Sequence, residues 1–300
     1  MPLKCFMNKS VWTGALLSVF LFAWATPGLA TDLDDIRARG ELRHLGIPYA
    51  NFVTGHGDGL SVELMKRFAD YLGVRYRFVE SAGWGEILGE LTGTRIKPVG
   101  DGVKKLGKVE IRGDVIANGL TVLAWREKVI DYSEPTFPTQ VWCISRADFP
   151  AMPIVSSGEV VKDIKAVKAL LKGHHVLGKD GTCLAPGLYG IERLTDRITS
   201  FPGSLNDIAP AVIKGDADLA LLDVPDSLVA LEKWPGKIKV LGPISPEQTM
   251  AVGFRKSSPR LRETFNTFLA QQKASGEYRR LVVKYYPAVL GYYKSFFEER

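Results

Sequence analysis

Cysteine is scarce in this chain, three residues in 300 (Cys5, Cys143 and Cys183), which excludes a small disulfide-stapled scaffold. No Cys-x-x-Cys pair, no His-Glu-x-x-His, no Gly-x-Ser-x-Gly elbow and no Walker sequence occurs. With them go the local signatures of dithiol redox chemistry, zinc hydrolysis, serine-hydrolase catalysis and phosphate-loop nucleotide binding. Gly55, Gly57 and Gly59 have the wrong spacing from the first strand to cradle a dinucleotide. The four histidines fall on or beside apolar segments, so no metal site is expected. His174 and His175 open an apolar stretch, where a strand turns one of the two to solvent. Long hydrophobic runs are missing except for Val11 to Ala25, whose 15 residues fall short of the roughly 18 to 20 that a membrane span needs.

What is present is a globular composition, 46% hydrophobic and 24% charged, enough for about two domains of typical size and too apolar for a disordered chain. The short apolar run follows Lys4 and Lys9 and precedes Pro27, Gly28, Leu29 and Ala30, the pattern of a secretory signal peptide cleaved after Ala30. Residues 1–30 are read as that leader and the mature chain as periplasmic. There Cys143 and Cys183 can either pair or remain two buried thiols.

From Thr31 the pattern alternates strand-like and helix-like segments, which indicates an α/β fold. Helices are expected over Asp32–Arg39, over Val62–Leu72 with Ser61 as its cap, and over Trp84–Leu91. Strands are expected over Leu42–Ile47, Val74–Val79 and Asp114–Ala117, the last leading into a loop Asn118–Thr121. Thr92 to Arg112 reads as an inserted hairpin carrying Arg95, Lys97, Lys104, Lys105, Lys108 and Arg112 against Asp101 and Glu110, a basic patch open to solvent or to an anionic surface. After Pro138 the alternation restarts: strands Gln140–Ser145, Val176–Lys179, Ile198–Phe201, Leu219–Leu222 and Lys237–Leu241 interleave with helices that include Leu184–Leu194. A last strand, Met250–Phe254, a helix Pro259–Lys273 and an aromatic tail packing back on the first unit complete the chain. Lobe 1 is thus expected at 31–138 and again at 244–300, with lobe 2 at 139–243 and two hinge crossings between them.

The most specific segment is Gly113 to Thr136. Its Gly119-x-Thr121 loop, Arg126 seven residues past that glycine, and Asp131-Tyr-Ser-Glu-Pro135 resemble the family 3 extracellular solute-binding proteins, the periplasmic amino-acid receptors of ABC importers. Glu63 to Gly73, Gly181-Thr182 and Gly215 to Asp223 agree with the same family. The resemblance implies a two-lobed type II binding-protein fold of two mixed sheets flanked by helices. It also implies a monomer with no cofactor, no catalytic residue and no nucleic-acid partner, which takes a small amino-acid-like ligand and docks on an ABC transporter permease. By the same resemblance Arg126 would hold a ligand carboxylate. Gly119 would add a backbone N–H, Thr121 and Thr182 hydroxyls, and Asn118 a carbonyl, while Asp223 would take the ammonium. Trp84, Tyr49 and Phe52 would supply the aromatic contacts. Guanidinium and carboxylate suit a zwitterion, whose charges are costly to desolvate unless each meets a fixed opposite charge.

Each residue also has an alternative reading: Asp223 as the cap of a helix starting near Pro225, Thr182 as part of a turn, and Tyr49 and Phe52 as core. The first lobe also resembles the binding-protein-like portion of some periplasmic lytic transglycosylases. Two other classes stay open. One is a periplasmic enzyme on this scaffold, like the cyclohexadienyl dehydratases, with Glu80 and Glu86 as candidate acids. The other is a sensor or cell-wall-associated module using the basic hairpin.

Overall fold

The computed structural model describes Met1, residues 32–100 and residues 102–298. The leader expected over 1–30 lies, Met1 apart, outside the described residues. Strands β1 (Glu41–Gly46), β2 (Arg75–Glu80), β5 (Val115–Thr121), β6 (Ile130–Tyr132), β7 (Phe137–Thr139) and β13 (Gln248–Arg255) form one mixed sheet, with β3 (Thr94–Val99) and β4 (Gly102–Lys108) a separate antiparallel pair. The order in the main sheet is β2-β1-β5-β13-β6, with β7 also on β13. A second sheet has the order β10-β9-β11-β8-β12, from β8 (Val141–Arg146), β9 (His175–Gly178), β10 (Arg197–Ser200), β11 (Leu219–Asp223) and β12 (Ile238–Pro243). Parallel pairs β1–β2 and β9–β11 need crossover helices, which cover the sheet faces. That is why β11 reads as an unbroken apolar run, Leu-Ala-Leu-Leu, with every residue buried.

The chain passes between the sheets twice, from Thr139 to Val141 and from Pro243 to Gln248, and the two passages are tied together. Gln140 Nε2 donates to the Ser245 carbonyl at 2.9 Å, and the Val141 N–H donates to Ser245 Oγ at 2.9 Å. Both residues are buried, so these bonds satisfy backbone and side-chain groups that water cannot reach.

Several local expectations are corrected. The second helix begins at Leu60, one residue before the position assigned to its cap, and Ser61 makes no capping bond. Instead the Leu60 and Ser61 N–H groups donate to the Asn51 and Phe52 carbonyls, at 2.8 and 3.1 Å, so main chain takes the role of the cap. Gly59 permits this approach: a Cβ there would lie 2.3 Å from the Phe52 carbonyl oxygen. The helix expected over Leu184–Leu194 is only a 3-10 turn at Pro186–Leu188, because Pro186 lacks an N–H and Gly187 and Gly190 weaken any continuation. The helix expected from Trp84 begins at Ile87. Asn118 to Thr121 is the end of strand β5 rather than a loop, with the left-handed Gly119 (φ 59°) accompanying a register shift against β13 between Ala251 and Gly253. The aromatic tail forms helices Glu277–Tyr285, Val289–Tyr292 and Lys294–Glu298. Tyr278, Tyr285, Tyr286 and Tyr293 of that tail are buried as core.

Candidate functional site

A narrow cleft between the two sheets is lined by Tyr49, Trp84, Gly119, Thr121, Arg126, Thr182, Cys183, Leu205 and Asp223. Seven of the nine residues singled out by sequence therefore share one wall or the other. Asn118 and Phe52 stand behind the lining. Phe52 packs against Tyr49, Phe137 and Tyr286, and Asn118 Oδ1 accepts the Ile47 N–H at 2.7 Å, tying the ends of β1 and β5 together. Gly119 belongs where it is because a Cβ would come within 2.5 Å of the Phe52 ring.

Tyr49 projects from the tight turn after β1, where its N–H donates to the Val53 carbonyl at 2.9 Å. The next residue, Ala50, has φ 45°, a left-handed value that costs a non-glycine residue about 1 kcal/mol or more. Its N–H donates across the cleft to Asn206 Oδ1 at 2.8 Å, an interaction that offsets part of this strain. The Tyr49 ring lies parallel to Phe52 and meets the half-buried Trp84 edge-on, centroids 5.5 Å apart.

Arg126 sits on the short helix Ala124–Glu127, next to Trp125, whose ring lies 5.2 Å from the guanidinium carbon. The side chain is 3% exposed. Nη1 donates to the Thr121 carbonyl at 2.9 Å, and Nη2 reaches across to the Gly181 carbonyl at 3.3 Å. Nε and the neighbouring Thr121 Oγ1 are buried without a hydrogen-bond partner, and among the described residues no carboxylate forms a salt bridge with Arg126. A fixed positive charge is thus buried here against two carbonyl dipoles and the Trp125 ring. Such a charge is costly unless an anion answers it.

On the opposite wall, Asp223 ends β11 and caps the helix that follows. Oδ1 accepts the Asp226 N–H at 3.3 Å as the cap of helix Val224–Lys233, while Oδ2 accepts the Tyr49 hydroxyl at 2.5 Å and the Cys183 thiol at 3.5 Å. Burial pushes its carboxyl up to about 6, against the opposing pull of those hydrogen bonds. Asp226, buried one helical turn away, is raised further by burial and by the Asp223 charge, and its Oδ2 has no partner. Burial also raises the Cys183 thiol and the Tyr49 hydroxyl, so both serve as neutral donors to the acid. The Thr182 hydroxyl donates to the Lys179 carbonyl at 2.7 Å and accepts the Leu184 N–H at 3.0 Å. It lines the cleft, but its proton is used in the turn, and no regular helix starts there to add a dipole.

Sequence reasoning missed Cys183, Leu205 and Asp226. The Asp223-Val-Pro-Asp226 spacing was a readable signal for a second acid; nothing local marked Cys183 or Leu205. Cys143 and Cys183 are both free and buried. Glu80 and Glu86 are not in the cleft lining, and Glu86 pairs with Arg95 at 2.9 Å. His44 is a core residue, bonded to the Ala117 carbonyl at 2.7 Å and to the Tyr76 hydroxyl at 2.9 Å, and burial lowers its pKa to about 4.

Two α/β lobes, joined by two crossings and facing each other across a charged cleft, define a ligand-binding receptor of the two-lobed type II class. Residues 109–288, more than half of the chain, match the bacterial extracellular solute-binding proteins, family 3, and the chain belongs to that family. The membrane-bound lytic murein transglycosylase F of Desulfosudis oleivorans is 27% identical over 233 residues, which cover 77% of this chain and 44% of that protein. The chain spans about half the length of the curated relatives it matches. A mutant of ArgBP from T. maritima superposes with a TM-score of 0.67 at 22% identity, over 85% of this chain and 99% of that one. An ancestral amino acid-binding protein, a precursor of cyclohexadienyl dehydratase, gives 0.65 at 22% identity over 86% of this chain and 100% of that one. At these identities the two structures share the fold with this chain.

Proposed function

We propose that the chain is a periplasmic receptor, exported by a signal peptide at 1–30, that captures a small amino-acid-like ligand and presents its closed form to an ABC transporter permease. One lobe would comprise 31–138 with 244–300, the other 139–243. The observation that carries this reading is Arg126, a buried guanidinium whose Nε edge has no partner and which pairs with no acid among the described residues, beside an equally unpartnered Thr121 hydroxyl. A ligand carboxylate would occupy that edge, with the Gly119 backbone and Thr182 completing its surroundings and the Asn118 carbonyl assisting the ammonium. The ammonium would take Asp223 from Tyr49, while Trp84 and Tyr49, backed by Phe52, would wall the ligand side chain. The walls leave only about 10 Å³ free between them, room for about one water, so a ligand would enter with the walls apart. A molecule that touches both walls binds the closed arrangement better than an open one, and closure follows from that difference in affinity.

Mass spectrometry of small molecules released by denaturing the purified chain tests the reading. The expected result is one amino acid or related carboxylate, near-stoichiometric and unchanged when returned to fresh protein. Conversion of that molecule would move the chain among the enzymes built on this scaffold. A released ligand without a carboxylate would overturn the role of Arg126.

A further inference from the structure

The hairpin of β3 and β4 plays no part in the cleft, and its charges are arranged at a cost. Strand alternation puts Arg95, Lys97 and Val99 on one face and Thr94, Ile96 and Pro98 on the other. Ile96 is buried in the core. On the other face Lys97 is the direct cross-strand neighbour of Lys104, a like-charge pair that destabilises an antiparallel ladder. No neighbour relieves it: Lys97, Lys104, Lys105 and Lys108 are exposed and form no ion pair among the described residues. The acids nearby are committed to the arginines, Glu86 to Arg95 at 2.9 Å and Glu90 to Arg112 at 2.6 Å. Exposed Glu110, and Asp101, which lies outside the described residues, are the remaining acids of the segment. Beside the lysines, Val99 is 58% and Leu106 51% exposed.

Lys105 and Lys108 stand opposite Ile96 and Thr94, on the face away from Lys97. We propose that this hairpin docks on the surface of an anionic phospholipid membrane, the Lys97–Lys104 pair against headgroup phosphates and Val99 on the same face entering the interface. Flexible lysines follow a fluid layer of phosphates, each acting as a point charge, whereas an acidic protein patch is best met by the planar arginine fork. Here the two arginines are occupied within the hairpin base. An exposed apolar side chain beside cations fits the boundary between headgroups and acyl chains, and a second copy of the same face would be repelled. The inference is independent of what the cleft binds.

Co-sedimentation with lipid vesicles tests it, using the whole chain and its K97Q/K104Q variant. The parent is expected to bind vesicles containing about one-third phosphatidylglycerol, to ignore pure phosphatidylcholine vesicles, and to release as salt rises from about 0.02 M to about 0.5 M. The variant is expected to bind roughly 25-fold more weakly, since each basic residue near such a surface is worth about fivefold. Its melting temperature should be unchanged or higher, because a repulsive pair has been removed. Equal binding by parent and variant, or equal binding of the parent to neutral and anionic vesicles, would overturn the proposal. Retention on a polyglutamate matrix without vesicle binding would also overturn it, in favour of an acidic protein partner.

Discussion

Tyr49 and Asp223 face each other from opposite walls of the cleft and share a hydrogen bond of 2.5 Å. The acid is held at about 6 by burial, so its charge, and with it any grip on an ammonium, changes in a mildly acidic range. Affinity for an amino-acid ligand should be flat above pH 6 and fall up to about tenfold per pH unit below it, and D223N should abolish that dependence. Titration calorimetry at a series of pH values checks both. A second consequence concerns stability. The folded pKa of Asp223 lies above its ordinary 3.8, so its contribution is complete below 3.8 and is lost as pH rises through 6. His44 is lowered from 6.5 to about 4, so its contribution is complete above 6.5 and is lost as pH falls through 4. The two slopes oppose each other across the shared window. D223N removes the first and leaves Asp226, whose raised carboxyl slopes the same way, so the variant should lose stability relative to the parent as pH falls from 6.5 to 4. Chemical denaturation of both proteins across that range measures it, and parallel profiles would contradict the assignment. At this scale the sequence was legible where residues share a motif: Gly119, Thr121 and Arg126 stand in fixed register. It was opaque where partners meet only through space, as Cys183 and Tyr49 do on Asp223.

Among the elements, β5 does the most to shape the site. It is straight enough to pair with β1 and β13, yet Gly119 bends its end so that Thr121 and the helix bearing Arg126 face the cleft. Gly119→Ala would demand φ 59° of an alanine and drive a methyl into the Phe52 ring, 2.5 Å away. Together these should cost about 2–4 kcal/mol of unfolding free energy, read as a lower denaturant midpoint. A midpoint within experimental error of the parent would show that the strand end yields easily. Elements with a clean helical period, such as Leu60–Leu72 and Pro259–Ala274, were readable from sequence because burial of one face dictates the pattern. The stretch after Thr182 was misread because apolar residues around Pro186 and Gly190 imitate a helix that their backbones do not sustain. The end of β5 looked like a loop because its glycine is a bulge, which only the register against β13 reveals.

For the molecule as a whole, alternation of strand and helix patterns was enough to indicate α/β, and the restart after Pro138 marked where the second sheet begins. What sequence did not show is how the parts are fastened. Asp114, with no solvent exposure, gathers Arg39 at 2.6 Å, Arg43 at 2.7 Å and Arg255 at 3.7 Å, joining the first helix, β1, β5 and β13. The crossings are clipped to each other through Gln140 and Ser245, so movement of one lobe must involve both strands of the connection. The central claim is that a ligand carboxylate completes the charge of Arg126 inside this closed cleft. Titration calorimetry of the recovered ligand into the parent and into R126A tests it most directly. Loss of about 3–5 kcal/mol, a weakening of roughly a hundred- to several-thousandfold, is predicted, with the variant still folded by circular dichroism. An affinity unchanged by the substitution would contradict it.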